Sequence, residues 1–243
     1  MPRLVILTAV MAAPLLTQPA PLPPPNYCFG FLNAVPNRPE LSSEEAMRIQ
    51  KLHMAHLNAL GEKRWLLGAG PILTPGGARG ILISRCRSVA EANELSSADP
   101  AVLNGRLFVE TYQWSGPEGI GDRYWKEKTG NPQFRDRMLK HVLVLLRKSQ
   151  TGTGWPSADV MAAHSAHLAA LRRAGKLLAA GPFHDSGNWF GALVFDGVTL
   201  EEARSIAGGD PMVRGGHARV EAFEWMAADG VFPATSPPAG NPR

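Results

Sequence analysis

Two octapeptides decide the fold of this chain: HMAHLNAL at residues 53–60 and HSAHLAAL at residues 164–171. When the sequence is shifted so that His53 falls on His164, 23 of the 62 positions from 53 to 114 are identical. A short match can arise by chance, but one register held over several separated motifs cannot. The sequence is therefore a tandem duplication of one structural unit.

Each repeat has the same predicted order of elements, β-α-β-β-α-β, which is the ferredoxin-like split βαβ arrangement of an α+β fold. Helix starts are marked by the capping-box pairs Ser42 with Glu45, Ser88 with Glu91, and Thr199 with Glu202. The predicted strands are residues 28–35, 66–71, 80–84 and 108–114 in the first repeat, and 141–147, 177–182, 191–195 and 218–225 in the second. The first helix of each repeat is predicted over 43–60 and 158–174.

Outside the repeats the sequence changes in character. Arg3 precedes an apolar run of residues 4–16, too short to span a bilayer, so residues 1–25 are interpreted as a secretory signal peptide and the protein as periplasmic or secreted. A disordered N-terminal extension is the alternative. The expected domains are 26–115 and 137–227, joined by a linker over 116–136 and followed by a disordered tail over 228–243.

Composition excludes one class of partner. The net charge is +4 in 243 residues, and no dense stripe of lysine and arginine is present. A nucleic-acid-binding domain usually concentrates basic residues on one face, so no nucleic acid is expected. The partner we expect is a small-molecule ligand or substrate.

The residues that could perform chemistry repeat as well. His56 and Asp99 are separated by 43 residues, and so are His167 and Asp210. Each histidine lies beside the leucines of its helix, and each aspartate ends the second helix of the same repeat. A carboxylate next to an imidazole fixes its tautomer and raises its pKa, which suits a general acid or base. These four residues are the predicted catalytic groups.

Other interpretations of these residues stay open. A histidine on an apolar stripe is commonly a satisfied core residue, and Asp-Pro is a common helix stop. The HxxH spacing could hold a metal, but each repeat offers only two histidines and one carboxylate, so neither a metal nor a cofactor is expected. Glu110 and Glu221 also repeat, and strand alternation favours their facing water over lining a pocket.

The motifs together resemble the YciI-like (YCII-related) family, whose pattern is xxHLxxLxxxGxLLxAGP followed by a helix ending in DP. The second repeat fits it from His167 to Pro211, so its pair is favoured over that of the first. The first repeat departs from it once, with Arg64 in the place of Gly175. The resemblance implies a site built on His56 with Asp99 and on His167 with Asp210.

The family resemblance also implies an architecture and a reaction class. Its members are ferredoxin-like domains that dimerise into an α+β barrel. A four-stranded sheet with helices on one face needs cover on the other, and here a fused copy can supply it as a pseudo-dimer within one chain. A higher oligomer stays open. The implied activity is that of a lyase or isomerase acting on a small organic acid or phenol, and the alternative is a non-catalytic ligand-binding module or a vestigial pocket.

The two cysteines, Cys28 and Cys86, are predicted to form a disulfide. Cys28 opens the first strand and Cys86 follows the third, and these strands are antiparallel neighbours in a split βαβ unit. The positions matched to them in the second repeat are Leu139 and Gly197, so both cysteines are absent there together. Two unrelated buried thiols are the alternative.

Overall fold

The computed structural model describes residues 26–150, 155–184 and 186–234. The proposed signal peptide over 1–25 lies outside these ranges. No helix within them is long and apolar enough to cross a membrane.

Both repeats form the predicted unit, each with one extra short helix after its Asp-Pro. The first repeat comprises β1 (Tyr27–Ala34), α1 (Ser43–Glu62), β2 (Leu66–Pro71), β3 (Ala78–Ser84), α2 (Val89–Ser97), α3 (Pro100–Leu103) and β4 (Leu107–Trp114). The second comprises β5 (Met138–Lys148), α5 (Ala158–Arg173), β6 (Leu177–His184), β7 (Trp189–Phe195), α6 (Leu200–Gly208), α7 (Pro211–Arg214) and β8 (Ala218–Ala228). A further helix, α4 (Asp122–Gly130), lies between them.

The eight strands make one antiparallel sheet in the order β2-β3-β1-β4-β6-β7-β5-β8. The two repeats join where Trp114 of β4 pairs with Phe183 of β6. At the other end of the order, Ile72 forms a bridge with Trp225 of β8, so the edge strands meet and the sheet curls into a barrel. The sequence shift that relates the two repeats also relates these two junctions, which confirms the predicted intramolecular α+β barrel.

Strand β5 shows why the barrel needs residues that are apolar on both faces. Leu143 and Leu145 point into the barrel core, which also holds Phe29, Trp114 and Trp225. Val144, between them, packs under the helices of the second repeat. A continuous apolar run is the pattern expected of a strand buried on both sides.

The helix caps are less complete than predicted. Thr199 and Glu202 form a full capping box at α6. Ser42 and Ser88 each accept the expected backbone N–H. Their glutamates do not complete the box, because Glu45 pairs with Arg48 and Glu91 accepts from the backbone of Arg87.

The segment between the repeats and the start of the tail both pack against the barrel core. Helix α4 places Tyr124 in the barrel core and packs Trp125 against it. Val231 and Phe232, which follow β8, are also buried in that core, so the expected disorder from residue 228 is wrong for 228–234. The rest of the predicted tail, 235–243, lies outside the described residues.

Cys28 and Cys86 form the predicted disulfide, with their Cα atoms 5.7 Å apart. The matching position in the second repeat needs a correction. Cys28 pairs with Gln113, and Val142 pairs with Glu224, which is the counterpart of Gln113. Val142, and not Leu139, is therefore the structural counterpart of Cys28, because the loop after the first strand differs in length between the repeats.

Candidate functional site

A histidine–aspartate pair is formed in the first repeat by His53 and Asp99. His53 Nδ1 lies 2.7 Å from Asp99 Oδ2, and both residues are buried. Asp99 caps helix α3 and accepts a hydrogen bond from the backbone N–H of Ala101 at 2.8 Å. An ionised carboxylate can only accept, so in that state of the pair the imidazole donates through Nδ1 and its Nε2 is left for other chemistry.

The second repeat reproduces the pair with His164 and Asp210. His164 Nδ1 lies 2.9 and 2.7 Å from the two carboxylate oxygens of Asp210. Asp210 is fully buried and also accepts from the backbone N–H of Met212 at 2.8 Å. Both repeats therefore have the same arrangement: the aspartate caps a short helix, the histidine contacts it through Nδ1, and the two residues are 46 positions apart.

The structure does not form the predicted pairs of His56 with Asp99 and of His167 with Asp210, because the histidine that contacts each aspartate lies three residues earlier in the helix, less than one turn away. His56 instead has its Nε2 3.2 Å from the carbonyl oxygen of Leu95. His167 has a buried Nε2 with no hydrogen-bond partner among the described residues. Asp99 and Asp210 do each contact a histidine, and that histidine is the first of the HxxH motif.

A signal for the correct histidine was present in the sequence. The buried positions of α1 are Ile49, His53, Leu57 and Gly61, a stripe with a spacing of four. His53 continues this stripe, whereas His56 lies beside it. Residues four apart in a helix share a face, so the i, i+4 relation of His53 to Leu57 was more informative than the adjacency of His56 to Leu57.

Of the repeated glutamates, Glu110 is exposed, as predicted, and accepts a hydrogen bond from Asn33 Nδ2 at 2.8 Å. Glu221 is half-buried and forms an ion pair with Arg147 at 3.4 Å.

The histidine of the pair in the first repeat, His53, lines a cavity of about 620 Å³. His53 and Leu57 of α1 form one wall, and the backbone of β2 forms another. The segment between the repeats contributes Trp125 and Lys128, and the chain after β8 contributes Val231. The cavity is therefore built by the whole chain, although its histidine belongs to the first repeat.

A hydrogen-bonded group from the inter-repeat segment lines the same cavity. Lys128 Nζ donates to the hydroxyl of Tyr124 at 2.8 Å, and that hydroxyl donates to Asp136 at 2.7 Å. Burial, and then the neighbouring Asp136 carboxylate, raise the pKa of Tyr124, so its hydroxyl stays protonated. This group gives the cavity a polar part to its otherwise largely apolar lining.

The cavity beside His164 is smaller, about 250 Å³. Trp155, Trp189 and Phe190 line it, and Lys148 lies 5.9 Å from the ring of Trp155. The buried apolar cluster between helices and sheet is also larger in the second repeat than in the first. Among the described residues, no group of three histidine, cysteine, aspartate or glutamate side chains could hold a metal ion.

Comparison with known protein families agrees with this architecture. Residues 141–226, from the first strand of the second repeat to its last, match the model of the YCII-related domain. The second repeat is therefore similar to the YCII-related domain. The first repeat carries the same elements and the same histidine–aspartate pair in the same register, so the chain is a tandem arrangement of this unit. No curated protein is similar enough in sequence to count as a match.

Solved structures share the fold of this chain over most of its length. A variant of chlorite dismutase from Candidatus Nitrospira defluvii aligns with a TM-score of 0.53 and 11% identity, covering 84% of this chain and 91% of that one. A heme-binding protein from Thermus thermophilus aligns with a TM-score of 0.52 and 14% identity, covering 88% and 96%. At such identities the likeness is one of fold alone.

Proposed function

We propose that the protein is an enzyme of lyase or isomerase type, with His53 as the general base and Asp99 as the residue that orients it. The observation that carries the proposal is a buried His–Asp pair whose histidine lines a cavity of about 620 Å³. A cavity of this size suits a small organic molecule. The substrate class proposed is a small organic acid or phenol.

The chemistry follows from the tautomer. Nδ1–H of His53 donates to Asp99, so the lone pair of Nε2 is available to accept a proton from carbon or from a hydroxyl. In an elimination, the electron pair of the broken C–H bond forms a double bond and the leaving group departs with its own pair. In an isomerisation, the imidazolium returns the proton to another carbon. Asp99 stabilises the imidazolium in both cases, as an orienting carboxylate does in a catalytic triad.

The first repeat is the proposed reaction site, although the second fits the family pattern better. The two cavities differ in volume: about 620 Å³ beside His53 against about 250 Å³ beside His164, where Trp155 and Phe190 are among the lining residues. For the second repeat we propose the alternative role, a binding or vestigial pocket.

A second candidate for the first cavity is haem, favoured by the carboxylate-anchored histidine. A metal-ligating histidine usually donates its other nitrogen to a carboxylate, as His53 does to Asp99. His53 would then hold the haem iron, and the iron would supply redox chemistry. Addition of hemin with observation of the Soret band, in the wild type and in His53→Gln, tests this candidate.

Export is proposed with the enzyme function. The disulfide between Cys28 and Cys86 supports it, since such bonds persist in oxidising compartments. N-terminal sequencing of the protein from its native host tests the proposal, and an intact Met1 or Pro2 would contradict it.

The acid–base role can be tested without knowing the substrate. Small carboxylic acids, lactones and phenols with acidic C–H bonds are incubated with the protein in D₂O and followed by proton NMR. We expect C–H exchange or product formation with the wild type and with His56→Gln, whose ring contacts only a backbone carbonyl. His53→Gln should lower the rate by about 10²–10⁴.

Two results would overturn the proposal. Equal rates in the wild type and in His53→Gln would remove His53 as the base. Binding of these compounds with no exchange or turnover of any would favour the binding module.

A further inference from the structure

Three arginines line the cavity of the first repeat: Arg38, Arg79 and Arg106. They converge because β1 ends where its antiparallel neighbours β3 and β4 begin. Asn33 pairs with Ala78, and Ala34 pairs with Leu107. The sheet therefore brings the loop after β1 and the starts of β3 and β4 to one end of the cavity.

These arginines lack acidic partners. Within the described residues, none of their guanidinium groups forms an ion pair with a carboxylate, whereas Arg48, Arg123 and Arg137 all do. Partial burial, and then the charges of Arg106 and Arg79, lower the pKa of Arg38. Like charges have thus been brought together without an internal counter-ion.

The backbone holds two of the guanidinium groups in place. Arg38 Nη1 donates to the carbonyl oxygen of Arg106 at 2.6 Å, and Arg106 Nη1 donates to that of Pro39. Each guanidinium has five N–H donors, so most of them remain for a ligand. Groups held in this way lose less conformational entropy when an anion binds.

The second repeat has the histidine–aspartate pair but not the arginines. In the register that places His53 on His164, Phe190 stands for Arg79 and His217 stands for Arg106. The general fold and the shared pair therefore do not require the arginine cluster. The arginine cluster is therefore specific to the cavity of the first repeat.

We infer that Arg38, Arg79 and Arg106 form a carboxylate-binding subsite, which holds the acid group of an organic anion while the rest of the molecule extends into the cavity of His53. Guanidinium groups bind carboxylates through paired N–H donors, which fixes orientation as well as position. The inference rests on the proposed function and narrows its substrate class to carboxylates, whether small organic acids or the propionates of haem.

Binding measurements separate this inference from the catalytic proposal. Phthalate and succinate are titrated into the full chain by calorimetry, with phthalamide and succinamide as uncharged analogues and hemin as a separate probe. We expect at least one carboxylate to bind and its diamide not to bind. Arg38→Gln and Arg79→Gln should each weaken binding about tenfold or more.

Two variants act as controls. Lys148→Gln, which removes the charge beside the second cavity, should leave the affinity unchanged. His53→Gln should retain carboxylate binding even where catalysis is lost, so a failure of the catalytic proposal does not affect this result. Hemin binding that depends on the arginines, without binding of the small acids, would assign the subsite to propionates.

Three outcomes would overturn the inference: no binding of any carboxylate probe to the wild type, equal affinity in the arginine variants, or equal weakening by Lys148→Gln. Arg79 is exposed, so its replacement tests the subsite with little risk to folding. Circular dichroism of each variant verifies that the fold is intact.

Discussion

The indole Nε1 of Trp114 donates a hydrogen bond to the carbonyl oxygen of Gly181 at 2.9 Å, and Trp225 does the same to Gly70 at 3.1 Å. Each tryptophan belongs to one repeat and each glycine to the other. The pair of bonds closes the barrel at its two junctions. Both tryptophans are fully buried, so the bonds also satisfy indole donors that would otherwise be costly to bury.

At these junctions the backbone of the other repeat comes so close to Gly181 and Gly70 that no side chain fits there. A Cβ atom on Gly181 would lie 1.7 Å from the carbonyl oxygen of Ser115, and one on Gly70 would lie 1.8 Å from that of Met226. Because the obstacle is backbone, Gly181→Ala should reduce the free energy of unfolding by about 1–3 kcal/mol or more. Urea unfolding provides the measurement. Gly208→Ala in helix α6 is the control, because a Cβ atom added there would meet no atom within 4 Å. This substitution should slightly raise the free energy of unfolding, since alanine is favoured over glycine in a helix.

Arg64 is the residue at which the first repeat departs from the family pattern, and its contacts explain how it is tolerated there. It has a φ of 61°, close to the 72° of Gly175, its counterpart. A side chain in this left-handed region costs roughly 1–2 kcal/mol. The guanidinium of Arg64 lies 4.1 Å from the ring centre of Trp125, and such a contact contributes about 0.5–2 kcal/mol. The stacking therefore offsets the backbone strain.

Two substitutions at Arg64 separate these effects. Arg64→Ala loses the stacking and keeps the strain, whereas Arg64→Gly loses both, so the glycine variant should be the more stable by about 1 kcal/mol. Lys63 has a φ of −77°, so at this position the alanine variant should be more stable than the glycine variant. Thermal unfolding of the four variants provides the measurement. An alanine variant as stable as the glycine variant at position 64 would contradict this account.

His141 makes stability depend on pH. Desolvation by burial lowers its pKa below the usual 6.5, and the nearby Asp196 offsets this only in part. The unfolded chain therefore binds a proton at a higher pH than the folded protein does. The contribution of His141 to the free energy of unfolding should be constant above about pH 6.5. Below that pH the free energy of unfolding should fall, because the unfolded chain takes up the proton first.

His141→Gln should flatten this part of the pH profile. Urea unfolding at about pH 7.5 and about pH 5.5 in the wild type and the variant isolates the contribution of one histidine from that of the others. An unchanged slope in the variant would show that other groups cause the acid sensitivity.

The disulfide should contribute to stability, because Cys28 and Cys86 enclose a loop with a sequence separation of 58. Closing a loop of this length stabilises a protein by about 2–4 kcal/mol. The double variant Cys28→Ser with Cys86→Ser should unfold at correspondingly lower urea, and the reduced wild type should behave like it. Alkylation followed by mass spectrometry, with and without reductant, verifies the bond. Two thiols modified without reductant would contradict it.

The sequence by itself determined the duplication, the order of the elements and the identity of both aspartates. Those features are local or periodic: an apolar strand, a cap and an Asp-Pro stop each depend on a few neighbouring residues. Because the unit occurs twice in one register, each assignment could be checked against its counterpart. The disulfide could also be predicted from the sequence, because the strand order of a split βαβ unit places the start of the first strand beside the end of the third.

Only the tertiary structure decided which histidine meets the aspartate and which repeat has room for a ligand. His53 and His56 differ by less than one helical turn, so their roles depend on how α1 rotates against α2 and the sheet. The larger cavity depends on Trp125 and Val231, which come from segments outside the repeat and reach it only when the barrel closes. The convergence of Arg38, Arg79 and Arg106 has the same cause, since antiparallel pairing brings distant parts of the chain to one end of the sheet.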